Sequence, residues 1–309
     1  MKIESDLTIL DDARTLVHWM AAITGEEERT IAIRLREEHR NVGFNVRQAM
    51  DAQRLEYYQW SEKLEEFYNT TDAFLFETIV WNRSPLKQEM RRWISHSIEQ
   101  RFRSPIRLLS FGDGLGFDSL YFAKRGHQVD FFEVSENSRR FASQLFSNED
   151  CKVRIIEKLT NIAPESYDVV VVLDVLEHIR VPEACAGALA KLLRPGGYVY
   201  THSPFWLLTP SVPTHLIENQ KYSGDLRRLF GVHGLRPVNA RTMWNPIELQ
   251  KTQQSQFFRR PLSASLRIWL GGYLLWWGRF WNAPHIAVVN WLFASKQIRW
   301  EELEEMVRD

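Results

Sequence analysis

The stretch IRLLSFGDGLGFDSLYFAKRG, beginning at Ile106, limits this chain more than any other part of it. A short apolar run ends in three glycines at alternate positions, Gly112, Gly114 and Gly116, and an amphipathic helical pattern follows. Glycines at a strand-to-helix turn let the backbone bend sharply and approach a ligand closely, and the helix behind them offers free N–H groups. The spacing is selective. A dinucleotide fingerprint needs G-x-G-x-x-G, but its third glycine position is Phe117 here, and no Gly-Lys-Ser/Thr follows to make a P-loop. The next apolar run, QVDFFE, ends in Glu133. A carboxylate there can accept two hydrogen bonds from a ribose diol; the plain alternative is a capping charge before the helix that begins at Glu136.

Around this loop, short apolar runs alternate with amphipathic segments. Strands are expected at Ile106–Phe111, Gln128–Glu133, Lys152–Ile156, Tyr167–Leu173 and Gly197–Ser203, with helices near Leu115–Arg125, Glu136–Phe146 and Pro182–Leu193. Such alternation predicts right-handed βαβ units and a parallel sheet covered on both faces. VVVVL, ending at Leu173, is the clearest buried central strand, being continuous and β-branched. Leu235–Arg241 is read as a sixth strand and Ile286–Ser295 as a seventh. Before Ser104 the texture is different: apolar residues recur at helical spacing, as in Trp60, Leu64, Phe67 and Tyr68, with Gly25, Gly43 and Pro85 as punctuation. The expected division is an N-terminal helical region over 1–103, serving as cap or docking surface, and an α/β domain over 104–309.

Four motifs in order, SFGDGLG, FFEVS, ESYDVVVVLDVLEHI and LLRPGGYVYTHSP, resemble those of the class I S-adenosylmethionine-dependent methyltransferases over roughly Ile106 to Pro204. The pattern is similar to the small-molecule type, including the ubiquinone-biosynthesis-like O-methyltransferases. The resemblance implies a Rossmann-like α/β fold: a seven-stranded, mostly parallel sheet with helices on both faces. It implies S-adenosyl-L-methionine as cofactor, with Gly112, Gly114 and Gly116 at its methionine portion, Glu133 at its ribose, and Asp113, Val134 and Asp174 beside them. The family usually has an acid two residues before the first glycine; this chain has Ser110, whose hydroxyl can still accept a hydrogen bond. Glu157 is a candidate for the adenine.

Ligands of parallel sheets bind outside the carboxyl ends of the strands, so Asp174, Glu177 and His178, just past VVVVL, would lie beside the reacting methyl. Three readings stand open. His178 is a general base oriented by Glu177. Alternatively, D-x-x-E-H holds a divalent metal, as its resemblance to the E-x-x-E-H of metal-dependent members implies. Or the three merely cap a helix and hold a loop. His215, in a proline-punctuated loop, is a further catalytic candidate, and His202 stands at the end of the fifth strand.

A small-molecule acceptor of partly apolar character, methylated at oxygen, nitrogen or carbon, is the expected substrate. Alternatives are a protein or peptide acceptor, or a catalytically silent cofactor-binding scaffold. Nucleic acid is not expected: Lys plus Arg and Asp plus Glu both total 39, and Val175-Leu176 stands where base-amino methyltransferases carry proline and an aromatic. Two distant cysteines and an acidic start without an apolar core lead to the expectation of a cytoplasmic protein.

Six of the 12 tryptophans fall after Leu266. The segment SASLRIWLGGYLLWWGRFW is read as an aromatic insert, about 244–285, lying between the sixth and seventh strands and hanging over the site. Core and pocket wall together are preferred for it over an interfacial membrane helix, and its apolar run is too short to span a bilayer.

Overall fold

The computed structural model describes residues 6–103, 105–252, 260–281 and 300–308. Six helices precede the first strand: α1 (Ala13–Thr24), α2 (Glu28–Arg40), α3 (Phe44–Ala52), α4 (Glu62–Thr70), α5 (Ala73–Arg83) and α6 (Pro85–Arg101). Their boundaries follow local chemistry. The Asp12 carboxylate accepts from the Thr15 N–H to start α1, and Ser61 does the same for Leu64 in α4. Ser84 caps α6 with Pro85 in its first turn, where a missing N–H costs nothing.

The α/β part then runs β1 (Arg107–Phe111), α7 (Phe117–Ala123), β2 (Gln128–Phe132), α8 (Glu136–Asn148), β3 (Val153–Ile156), β4 (Tyr167–Leu173), α9 (Pro182–Leu192), β5 (Leu193–His202), α10 (Leu226–Leu229), β6 (Leu235–Ala240) and β7 (Ile247–Lys251). The seven strands form one sheet in the order β3-β2-β1-β4-β5-β7-β6. Neighbours among β1–β5 pair parallel, while β7 lies antiparallel between β5 and β6. Helices α11 (Leu262–Gly278) and α12 (Glu301–Arg308) follow.

The five parallel strands and β6 lie where the sequence patterns place them, but the seventh does not. Ile247–Lys251 takes that position in the sheet, and Ile286–Ser295 falls outside the described residues. The aromatic segment therefore comes after β7 and does not interrupt β6 and β7. Helix α11 nevertheless reaches the functional edge, because it packs along β6 and onto Trp244 just beyond it.

Alternation along the strands divides the interior. Leu108, Val169, Val171 and Leu173 point to one side, Leu109, Val170 and Val172 to the other, and all are buried. The first side is covered by α7, α8 and the N-terminal helices, so that Leu16, Trp19, Ile31 and Phe76 share one apolar core with Val129 and Phe131. The second is covered by α9, α10 and the inner face of α11.

Helix α12 returns to the chain's beginning. The Glu302 carboxylate accepts from the Ala13 N–H at 2.8 Å, and Arg40 pairs with Glu304 at 2.9 Å. Trp300, just before it, is buried with the Arg83 guanidinium 3.8 Å above its ring. Trp300→Ala should cost about 3–5 kcal/mol by emptying that position, read as a lower denaturant midpoint; an unchanged midpoint would show that this end contributes nothing to the fold.

Candidate functional site

The carboxyl ends of β1, β2, β4 and β5 share one edge of the sheet, and the functional candidates gather there. Gly112, Gly114 and Gly116 all have positive φ, 67°, 62° and 84°. Bulk is excluded as well as conformation: a Cβ on Gly112 would stand 2.6 Å from the Val175 side chain, and one on Gly116 2.6 Å from Phe146.

Two of the candidates are occupied with holding this loop. The Asp113 carboxylate accepts from the Asp118 N–H at 3.1 Å, the Ser119 N–H at 2.7 Å and the Ser119 hydroxyl at 2.6 Å, capping α7. Ser110 donates to the same carboxylate at 3.2 Å. Burial, and then the charge of Asp118, push Asp113 up to about 7. Ser110 and Asp113 thus turn towards each other and the helix, below the loop.

Glu133 stands just past β2 and braces the loop from the next strand. Its carboxylate accepts from the N–H groups of Gly114 (2.9 Å), Val134 (2.8 Å) and Ser135 (2.9 Å). Burial raises its pKa in spite of these donors. Val134 beside it is half exposed, and Glu157, past β3, is exposed.

Asp174 follows β4 with φ of 60°, in the left-handed region. Its carboxylate is fully engaged: His202 Nδ1 at 2.5 Å, Trp81 Nε1 at 2.8 Å and Lys87 Nζ at 3.2 Å. Burial opposes its charge, yet the Lys87 ammonium and His202 hold it well below the usual carboxylate range. Lys87 is itself buried, with Asp118 at 3.0 Å on its other side. Asp118 continues to Arg91, which pairs also with Asp6. This chain of buried charges ties α6 to α7 and to the end of β4.

Glu177, His178 and His215 form a second cluster, with one potential ligand atom from each lying within 4.8 Å of the others. The His215 Nδ1–H donates to the Leu207 carbonyl at 2.7 Å, and His178 Nδ1 contacts the Thr214 carbonyl at 3.2 Å and the Tyr68 hydroxyl at 2.9 Å. A carbonyl only accepts, so the Leu207 bond places the His215 proton on Nδ1 and leaves its Nε2 lone pair bare, whereas His178 Nδ1 faces the hydroxyls of Tyr68 and Thr214 as well as the Thr214 carbonyl. Both oxygens of the buried Glu177 are without a hydrogen-bond partner, Oε1 lying 4.0 Å from His215 Nε2. Burial pushes His178 down to about 4, lowers His215 further, and raises Glu177 well above the usual range with help from Asp174. Both imidazoles are therefore neutral near pH 7.

Sequence patterns group Glu177 with His178 and leave His215 as a separate candidate, and the fold brings all three together. Asp174, grouped with them by spacing, belongs instead to Lys87 and His202. Tyr68, Trp81 and Lys87 carry no motif; helices α4, α5 and α6 deliver them from far away in the chain. Beside His202 a narrow recess opens, with Phe205, Trp206, Tyr222, Trp244 and Leu275 of α11 in its walls together with Thr201, Ser203 and Ser223.

Lys87→Met leaves Asp118 and Asp174 buried with less compensation. We expect a loss of about 3–5 kcal/mol of stability by chemical denaturation; a loss below about 1 kcal/mol would show that the network does not hold the site.

Comparison with known proteins gives this geometry a family. The family described as the methyltransferase domain matches residues 83–260, more than half of the chain. The ubiquinone biosynthesis O-methyltransferase of Idiomarina loihiensis is 37% identical over 99 residues, covering 30% of this chain and 40% of the relative. That of Leptothrix cholodnii is 31% identical over 114 residues, covering 35% and 47%. The chain thus spans less than half the length of these curated relatives. Among solved structures, the 1,6-didemethyltoxoflavin N1-methyltransferase of Burkholderia thailandensis, with its acceptor and S-adenosylhomocysteine bound, has a TM-score of 0.45 at 18% identity, covering 56% of this chain and 81% of that one.

Proposed function

The chain belongs to the S-adenosylmethionine-dependent methyltransferases of class I, and from that premise we propose that it methylates a small, partly apolar acceptor at an oxygen, nitrogen or carbon atom, with Glu177, His178 and His215 managing the proton. The observation that carries this reading is the meeting of the glycine loop, Glu133 and the Glu177–His178–His215 cluster at one sheet edge.

The residues present suit the cofactor. The loop has no side chain at the three positions where the backbone must be approached; a Cβ on Gly114 would already stand 3.1 Å from Thr78. Glu133 accepts three backbone bonds, and a carboxylate offers about four acceptor sites, so capacity remains for a ribose hydroxyl. Ser110 and Asp113 fix the loop from beneath. When bound, S-adenosylmethionine supplies an electrophilic methyl on a sulfonium, open to in-line displacement.

The chain's own residues then align the acceptor and take up its proton. The His178 ring is held by Thr214 and Tyr68, and His215 is held by Leu207 with its Nε2 free to accept a proton. An imidazolium formed there would sit beside the Glu177 carboxyl group. The mainly apolar walls of the narrow recess next to His202, among them Phe205, Trp206, Phe230 and Trp244, favour an acceptor that places a small apolar group there. O-methyl transfer by the matched ubiquinone-biosynthesis relatives favours oxygen as the receiving atom.

A second reading, in which the same cluster binds a divalent metal, rests on one observation. A ring nitrogen of His178, the bare Nε2 of His215 and the buried Glu177 carboxyl without partners lie within 4.8 Å of one another, with His215 oriented by a hydrogen bond from its other nitrogen. Such a metal would be held by Glu177, His178 and His215 and would polarise an acceptor hydroxyl.

Labelled methyl transfer into a metabolite extract identifies the acceptor. His178→Ala should then lower turnover about 10²–10⁴-fold with cofactor affinity unchanged; unimpaired turnover would leave the cluster a purely structural part. Loss of activity with a chelator, restored by a divalent ion, would select the metal reading.

A further inference from the structure

Helix α11 carries two apolar faces. Its inner face is small: Ala264, Gly271, Gly272, Leu275 and Gly278 are buried, the glycines allowing the helix to lie directly on Trp244 and Gly224. The outer face is large and exposed. Nine of the fourteen exposed large apolar side chains among the described residues fall between 262 and 281. Trp269 and Trp281 are 64% and 61% exposed, and Phe280 is 60% exposed. The expectation of core and pocket wall holds for the inner face, where Leu275 lines the recess, and not for the outer one. The exposed positions recur at three- and four-residue spacing, making one stripe about 25 Å long for 17 residues.

Water is a poor partner for such a stripe, and charge indicates a better one. From Leu249 to Trp300 the chain has seven lysines and arginines and no aspartate or glutamate, although its overall formal charge is zero. Among these, Arg260 and Arg267 are exposed, and Arg279 packs over the rings of Trp276 and Phe280, 4.6 and 4.7 Å from their centroids. Tryptophan and tyrosine mixed with arginine is the composition of the water–lipid boundary, where rings sit at headgroup level and cations meet phosphate. Among the described residues no helix is long and apolar enough to cross a membrane, so the orientation is in the plane.

We infer that α11 docks this protein, stripe down, on the surface of an anionic phospholipid bilayer. The helix lies beyond the residues matched by the methyltransferase family, and the inference does not depend on the proposed reaction. Its position has a consequence for access, since Leu275 on its inner face forms one wall of the aromatic recess beside His202. An acceptor dissolved in the bilayer would then reach the recess past this helix without first entering bulk water.

The test uses the full chain and vesicles of phosphatidylcholine, alone or with 30% phosphatidylglycerol (about one lipid in three anionic). Sedimentation with the anionic vesicles is expected, together with a blue shift of tryptophan emission, weaker binding to phosphatidylcholine alone, and weakening at high salt. The triple variant Trp269→Ser, Phe280→Ser and Trp281→Ser alters exposed side chains only and should bind about tenfold more weakly or worse, with unchanged circular dichroism. Absence of the wild-type chain from anionic vesicles, or equal binding by the variant, would overturn the inference. So would a wild-type dimer that becomes monomeric in the variant, because a second copy would then cover the stripe. Cofactor binding in the same samples reports separately on the methyltransferase reading.

Discussion

A single buried ammonium connects the parts of this protein that must work together. Lys87 of α6 lies between Asp118, on the helix that follows the glycine loop, and Asp174, at the end of the central strand. Burial works against a charged Asp174, and the Lys87 ammonium, followed by His202, holds it ionised, while Asp174 in turn orients His202. Trp81 of α5 bonds the same Asp174. The N-terminal helices therefore do more than cover an apolar face of the sheet: they supply the countercharge and the donors that fix the edge where the candidate site residues meet.

The loop itself shows how backbone and charge share the labour. Glycine conformation leaves the loop surface open, while Asp113 and Ser110 satisfy its lower side and Glu133 braces it from the neighbouring strand. Where relatives usually have an acid two residues before the first glycine, this chain has a hydroxyl that donates to Asp113. The acid that braces from below is thus inside the loop, and Glu133 is the carboxylate left with spare acceptor capacity.

Much of this was legible in the sequence, for physical reasons that can be named. The parallel strands announce themselves because both their faces are buried, and VVVVL is the extreme case. The glycine spacing and Glu133 stand out as cofactor candidates because their chemistry is local in the chain. The seventh strand was hidden because IELQK carries Glu248 into the interior, where Arg101 and the Tyr200 hydroxyl meet it, so the segment lacks an apolar signature. The apolar run IAVVNWLFAS drew the assignment instead. Tyr68, Trp81 and Lys87 were invisible as site residues because only tertiary packing brings them to the edge, and the aromatic helix was legible only in part, because its glycines and Leu275, not its tryptophans, form the buried face.

The account stands or falls on whether Glu133 and the glycine loop hold S-adenosylmethionine. Titration calorimetry of the wild-type chain with S-adenosylmethionine and S-adenosylhomocysteine, repeated on Glu133→Ala, measures this directly. One site of roughly micromolar affinity is predicted for each, weakened at least about tenfold in the variant, whose thermal stability also falls because the N–H groups of Gly114, Val134 and Ser135 lose their acceptor. Binding that is absent in the wild type, or equal in the variant, would contradict it.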